Sequence, residues 1–163
     1  MTSPQAALKF GSRNKVDFFN VDADLTTAAV PVAISNGGAA VWLDMKGYSG
    51  IFVLAGGVNL NGAGPKSLVI VADEKSDGSD GNIEIVASAS DVCSAEGGYM
   101  IVEATAEQIV QEGEDNSKNL RYVSIKLGLA DAADEAAITV VRYGPRFGHR
   151  TLTAGSAANA SIS

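Results

Sequence analysis

The sequence predicts an all-β domain, an antiparallel sandwich or barrel of about seven strands with one or two short helices. Apolar and polar residues alternate in several short segments, which is the period of a half-buried strand. The 163 residues include 18 glycines, which indicates many tight turns. The strand segments also lack the helices that alternate with strands in a parallel sheet, so we expect antiparallel pairing.

Two segments, residues 51–55 and 68–72, are continuously apolar over the length of a strand. Such runs are typical of central strands that are covered on both faces. Alternation predicts the remaining strands, and it is cleanest in the fourth of these ranges: residues 41–45, 83–87, 99–104, 122–127 and 138–143.

Helix is predicted only in the second half of the chain. Residues 105–112 form a helix of about two turns, with Thr105 as the N-cap and Gly113 as the stop. Residues 130–137 form either a further helical turn or a tight connection. The acidic stretch at residues 73–82 is predicted to be a solvated hairpin loop between strands 68–72 and 83–87.

The chain is divided into three regions by composition. Residues 1–38 are predicted to be an N-terminal arm with the first strand or strands, residues 39–150 the β-sandwich, and residues 151–163 a C-terminal arm of small residues. A segment with so little apolar surface does not offset its own ordering entropy, so we expect the arms to lie on neighbouring subunits. The N-terminus lacks the apolar core of a secretory signal, and we expect synthesis in the cytoplasm.

The composition argues against an enzyme and against a cofactor. The net charge of −7 opposes non-specific binding to nucleic acid, and no apolar run is long enough to span a bilayer. Cys93 and His149 are the single cysteine and histidine of the sequence. We expect Cys93 to be a small buried or half-buried hydrophobic residue, and His149 has neither a nucleophile nor an acidic residue beside it in the sequence.

No metal site is predicted. Asp77 and Asp80 are three residues apart, and the acidic stretch lacks the first, third and fifth carboxylates of a calcium loop. Residues 112–115 have still less of that pattern and are predicted to be a second exposed loop. The glycines between residues 56 and 64 match neither the dinucleotide-binding fingerprint nor the P-loop.

One segment, residues 141–150, differs from the acidic background because it holds three of the chain's five arginines and two aromatic residues. Arginine and aromatic residues are enriched at protein interfaces. The alternative is a strand end followed by a solvated loop. The predicted contact residues are Trp42, Arg142, Tyr143, Arg146, Phe147 and Arg150.

The arrangement of these motifs resembles the head decoration, or cement, proteins of tailed bacteriophages. The resemblance covers residues 41–146 and is carried by the following segments: Leu43-Asp-Met-Lys-Gly-Tyr48 leading into the strand at 51–55, Ser67-Leu-Val-Ile-Val-Ala-Asp73 with its acidic loop, Ala106-Glu-Gln-Ile109, Arg121-Tyr-Val-Ser-Ile125, and the strand at 138–142 followed by Gly144-Pro-Arg146.

The resemblance implies a non-enzymatic virion protein that coats and stabilises an icosahedral shell on the capsid exterior. Its implied partners are its own copies, in a homo-oligomer such as a trimer, and the major capsid protein. Structural components of the phage head–tail junction and of the tail resemble these segments as well, and they are an alternative function for this chain. Two further alternatives are a soluble ligand-binding or carbohydrate-binding β-sandwich and an enzyme with an unrecognised pair of carboxylates.

Overall fold

Two antiparallel sheets share one apolar core in the computed structural model, which describes residues 14–21, 32–36, 39–59, 67–88, 98–129 and 135–144. The predicted all-β sandwich is thereby confirmed. The elements, in chain order, are β1 (Lys15–Val21), β2 (Val32–Ala33), β3 (Ser35–Asn36), β4 (Ala39–Ala40), β5 (Leu43–Asp44), β6 (Gly50–Asn59), β7 (Ser67–Asp73), β8 (Ile83–Ala87), β9 (Tyr99–Thr105), α1 (Ala106–Asp115), β10 (Tyr122–Gly128) and β11 (Glu135–Tyr143).

The first sheet has four strands in the order β1-β11-β6-β9. The second sheet has the order β2-β10-β7-β8, and β5 pairs with β10 beside this path. The two-residue strands β3 and β4 pair with each other. Within the described ranges, the strands of five residues or more are β1 and β6 to β11, which agrees with the predicted number.

The core lies between the inner faces of the two sheets. The first sheet contributes alternate residues such as Ile51 and Val53 of β6 and Val140 of β11, all fully buried. The second sheet contributes residues such as Ile70 of β7 and Ile125 of β10. The buried residues recur at every second position because successive side chains of a strand point to opposite faces of the sheet.

Residues 1–38, predicted to form an arm and the first strand or strands, supply integral strands of the sandwich. β1 pairs with β11 over its whole length, and Lys15 lies opposite Arg142. β2 pairs with β10, and the following Ile34 is fully buried in the core. Residues 1–13 and 145–163, which include the predicted C-terminal arm, lie outside the described residues.

The predicted N-cap of the helix is confirmed, whereas the predicted stop is wrong. Thr105 Oγ1 accepts a hydrogen bond from Gln108 N at 3.2 Å, and Thr105 N donates to Gln108 Oε1 at 2.8 Å, which completes a capping box. The helix then continues through Gly113 to Asp115, so the exposed loop predicted at residues 112–115 is also wrong, because these residues form the last turn of the helix. Gly113 is buried against the chain that follows, and a Cβ there would lie 2.6 Å from the Lys118 carbonyl oxygen. The glycine therefore provides space for packing and does not end the helix.

The structure also tests the predictions for residues 130–137 and for residues 41–45. β11 begins at Glu135, so residues 135–137 belong to a strand and not to a helical turn, while residues 130–134 are not described. The strand predicted at residues 41–45 is reduced to the two residues of β5. No described helix is long and apolar enough to cross a membrane.

Candidate protein-interaction face

The side of the first sheet that points away from the core is predominantly apolar. We call it the outer face, and strand register arranges its residues in three rows that cross the sheet. The rows are Val16, Val141, Phe52 and Glu103; Phe18, Thr139, Leu54 and Ile101; and Ala137, Gly56 and Tyr99. Because neighbouring strands are about 4.8 Å apart, the row from Phe18 to Ile101 extends roughly 14 Å.

Several large side chains of the outer face are exposed to solvent. Phe18 is 62 % exposed, Tyr99 is 64 % exposed and Ile101 is 47 % exposed. Phe52 and Leu54 of the inner strand β6 are half-buried. Single exposed hydrophobic residues are ordinary on a protein surface, whereas a contiguous apolar patch of this kind marks an interaction site.

The two strands that were predicted to be covered on both faces differ in the structure. In β7, Val69 and Val71 on the side away from the core are 5 % and 2 % exposed, so this strand is buried on both faces within the chain. In β6, the corresponding Phe52 and Leu54 keep access to solvent. The prediction is therefore confirmed for β7 and wrong for β6. The sequence of β6 is that of a strand whose second face is covered, and the described part of the chain does not cover it.

Charge is nearly absent from the three rows. Glu103 is the residue among them that carries a formal charge, and its Oε1 accepts a hydrogen bond from the Tyr143 hydroxyl at 2.5 Å. Burial raises the pKa of Tyr143 to about 12, and the hydrogen bond to Glu103 acts in the same direction. Tyr143, a predicted contact residue, thus lies at the border of the outer face with its hydroxyl engaged.

Trp42, another predicted contact residue, is half-buried and lies away from the outer face. Its indole packs on Gly78 in the β7–β8 loop, where a Cβ would overlap the ring. Gly78 has φ +70°, a conformation that glycine adopts at little cost. The structure therefore gives Trp42 a packing role within the chain.

Arg142 was predicted to be a surface contact, but it is only 4 % exposed. Its position in β11 points inward, where Nη2 donates to Asp17 Oδ2 at 3.0 Å and Nη1 donates to the Asp44 carbonyl oxygen at 2.8 Å. The guanidinium carbon also lies 5.1 Å from the centre of the Tyr48 ring. Arg142 therefore connects parts of the folded chain and is removed from the set of contact residues.

The remaining predicted contact residues, Arg146, Phe147 and Arg150, lie outside the described residues. Cys93, His149 and residues 60–66 of the glycine-rich loop lie outside them as well. Among the described residues, the outer face is formed by β1, β6, β9 and β11, and Arg142 does not contribute to it.

The acidic stretch is the β7–β8 hairpin loop that the sequence predicts, and it is held by a lysine from another part of the chain. Lys118 Nζ donates to the carbonyl oxygens of Asp80 and Gly81, the latter at 2.7 Å, and lies 3.6 Å from Asp80 Oδ2. Lys75 Nζ lies 3.3 Å from Asp80 Oδ1. Both carboxylate oxygens of Asp80 thus face a lysine ammonium group.

The described residues contain no group of three or more His, Cys, Asp or Glu side chains that is placed to hold a metal ion. Two pairs of opposite charge dominate instead, Arg142 with Asp17 and Arg121 with Asp44. The hydrogen bonds from Arg121 lower the pKa of Asp44 from 3.8 to about 2, and the backbone amide of Lys46 also lowers it. These pairs join strands and loops of the fold.

No family model, curated protein or solved structure matches this chain.

Sequence reasoning missed the residues of the outer face, among them Phe18, Phe52, Leu54, Tyr99 and Ile101. The signal was present in β6, where apolar residues occupy both faces, and in β9, where Tyr99 and Ile101 share the face opposite Met100 and Val102. Sequence alone did not show whether the second face is covered by the same chain.

Proposed function

We propose that this protein is a non-enzymatic virion structural protein that decorates and stabilises a phage capsid shell through protein–protein contacts. The observation that carries the proposal is the outer face, an exposed and nearly uncharged apolar surface on a regular four-stranded sheet. Covering such a surface with another protein is favourable, because each Å² of apolar area removed from water stabilises the complex by about 25 cal/mol.

The chemistry of the outer face favours a protein partner over a small ligand. Small-molecule sites are concave and contain a few polar groups that orient the ligand. Here the central row has the aliphatic Leu54 at its middle and a single hydroxyl, that of Thr139. A carbohydrate site needs hydrogen-bonding groups beside exposed aromatic rings. On the outer face the exposed aromatic residues Phe18 and Tyr99 lie on opposite edge strands, and Phe52 between those strands is half-buried.

A role as decoration protein is supported by the combination of a rigid sandwich with a docking surface, and by the resemblance of residues 41–146. Many copies on a repeating shell act together, so that contacts of modest affinity add to a large effect. A component of the head–tail junction or the tail would use the same contact chemistry. The two are distinguished by position on the particle and by copy number.

The test is co-sedimentation of the purified full chain with tailed-phage particles from its source. We expect the chain to move with intact particles in a density gradient at a fixed ratio to the major capsid protein, and to raise the temperature at which they release DNA. A chain that stays at the top of the gradient and leaves this temperature unchanged contradicts the proposal. Binding to a glycan array without binding to particles supports the carbohydrate alternative.

A further inference from the structure

We infer that the outer face is the surface through which two copies of this chain pair, sheet against sheet about a two-fold axis. The inference rests on the proposed function, because it assigns a partner to the surface that carries that proposal. The residues that would be buried are those of the three rows, with Phe18, Leu54 and Ile101 in the central row.

The distribution of charge favours a second copy as the occupant. Each chain carries a net charge of −7, so two copies repel one another over most of their surfaces. The three rows are the exception, since their one carboxylate, Glu103, is hydrogen-bonded to Tyr143. A basic partner would be matched by several carboxylates on the docking surface, and the rows do not supply them.

The shape and size of the outer face suit such a pair. Two sheets pack face to face about 10 Å apart when their facing residues are apolar, as in the core of a sandwich. A two-fold interface uses the same patch twice, and a sheet face whose one carboxylate, Glu103, lies on the edge strand β9 brings few like charges together. Four strands of about seven residues make a surface of roughly 450 Å² in projection. This lies below the roughly 800 Å² of accessible surface that each partner buries in a standard interface, so we expect a pair that dissociates on dilution.

The structure also provides a matched pair of variants. Ile101 on the outer face and Val110 on α1 are both 47 % exposed, so each can be replaced without opening the core. Ile101→Glu and Val110→Glu add the same charge to the chain. They differ in whether the new carboxylate lies on the outer face, where pairing would remove it from water at a large cost.

The experiment is sedimentation equilibrium of the full chain over a range of concentrations, with both variants. We expect the unmodified chain and Val110→Glu to reach twice the 16.7 kDa mass of one chain, and Ile101→Glu to require at least tenfold higher concentration. Far-UV circular dichroism checks that both variants are folded. A chain that stays monomeric, a mass of three chains, or pairing that Ile101→Glu leaves unchanged would overturn the inference.

A second measurement uses the unmodified chain and does not depend on a variant's folding. Hydroxyl-radical footprinting should label Phe18 and Tyr99 less at concentrations where the chain pairs than after dilution, while labelling of Val110 stays constant. Equal labelling of all three residues at both concentrations contradicts the pairing. A monomeric chain that still sediments with particles would refute the pairing and leave the proposed function intact, whereas a paired chain that ignores particles would do the reverse.

Discussion

Arg142 of β11 donates a hydrogen bond of 3.0 Å from Nη2 to Oδ2 of Asp17 in β1, and both side chains lie on the inward side of their sheet. The side chain of Arg142 is 5 % exposed and that of Asp17 is 18 % exposed, so water does little to screen the pair. The same guanidinium donates to the carbonyl oxygen of Asp44. One buried cation therefore holds the edge strand β1 and the β5 segment to the central strand β11.

Replacing Arg142 by alanine should strongly destabilise the fold. The change leaves the Asp17 carboxylate with the more distant Lys15 Nζ at 3.9 Å and removes a donor from the Asp44 carbonyl oxygen. Removing one partner of a buried pair costs about 3 kcal/mol. Urea unfolding measures the loss. Lys75→Ala is the control, because its pair with Asp80 is exposed and its removal should cost less than about 1 kcal/mol. Equal, small losses in both variants would show that the Arg142 pair is not important for stability.

Gly78→Ala should cost more stability than Gly81→Ala, although both glycines have positive φ, +70° and +81°. Any L residue in this conformation loses about 1–2 kcal/mol. At Gly78 the new methyl group also overlaps the Trp42 indole, whereas at Gly81 the nearest atom is Lys118 Nζ at 3.5 Å. We expect this overlap to lower the free energy of unfolding of Gly78→Ala by a further ~1–3 kcal/mol, and to shift the fluorescence emission of the single tryptophan. Equal losses with an unchanged spectrum would contradict the contact.

Gly113→Ala should destabilise the protein, although helix propensity alone predicts a gain of about 1 kcal/mol in a helix interior. A Cβ at this position lies 2.6 Å from the Lys118 carbonyl oxygen and 3.3 Å from Leu120 Cγ, so the backbone after the helix has to move. Val110→Ala, at an exposed position of the same helix, should follow propensity and gain a few tenths of a kcal/mol. Thermal unfolding decides, and a higher midpoint for Gly113→Ala would contradict the packing.

Asp44 should contribute to the loss of stability in acid. Arg121 Nε and Nη2 donate to its two oxygens at 3.0 and 2.7 Å, and these bonds hold the pKa near 2 in the folded chain. The unfolded chain takes up this proton near pH 3.9. The contribution is therefore complete above about pH 4 and is lost as the pH falls toward 2. Asp44→Asn should be less stable than the unmodified chain at pH 7, and the difference in urea midpoint should narrow between pH 4 and 2. A difference that stays constant down to pH 2 would refute the low pKa.

Periodicity alone was sufficient to predict most of the sandwich. The alternation in β8, β9 and β10 and the apolar runs in β6 and β7 identify strands, because one face of each packs into the core. β1 was harder, since its sequence KVDFFNV does not alternate cleanly and Asp17 points inward. The inward Asp17 is paired with the distant Arg142, and no local pattern in the sequence reports such a contact.

The candidate site was less predictable for a related reason. Arg142 was assigned to a contact surface because arginine and aromatic residues are enriched at protein interfaces, whereas its alternation with Val140 in β11 places it on the inward side. Phe52 and Leu54 were assigned to a covered face because sequence does not distinguish cover by the same chain from cover by another. Both errors concern what lies opposite a residue, and that is set by tertiary contacts.

The pairing of Lys15 with Arg142 also determines how the protein can be engineered. Partner residues in an antiparallel ladder have Cα atoms about 5 Å apart, so the chain enters β1 next to the point where it leaves β11. Labels attached at the start of β1 and at the end of β11 would therefore be displayed from the same end of the domain.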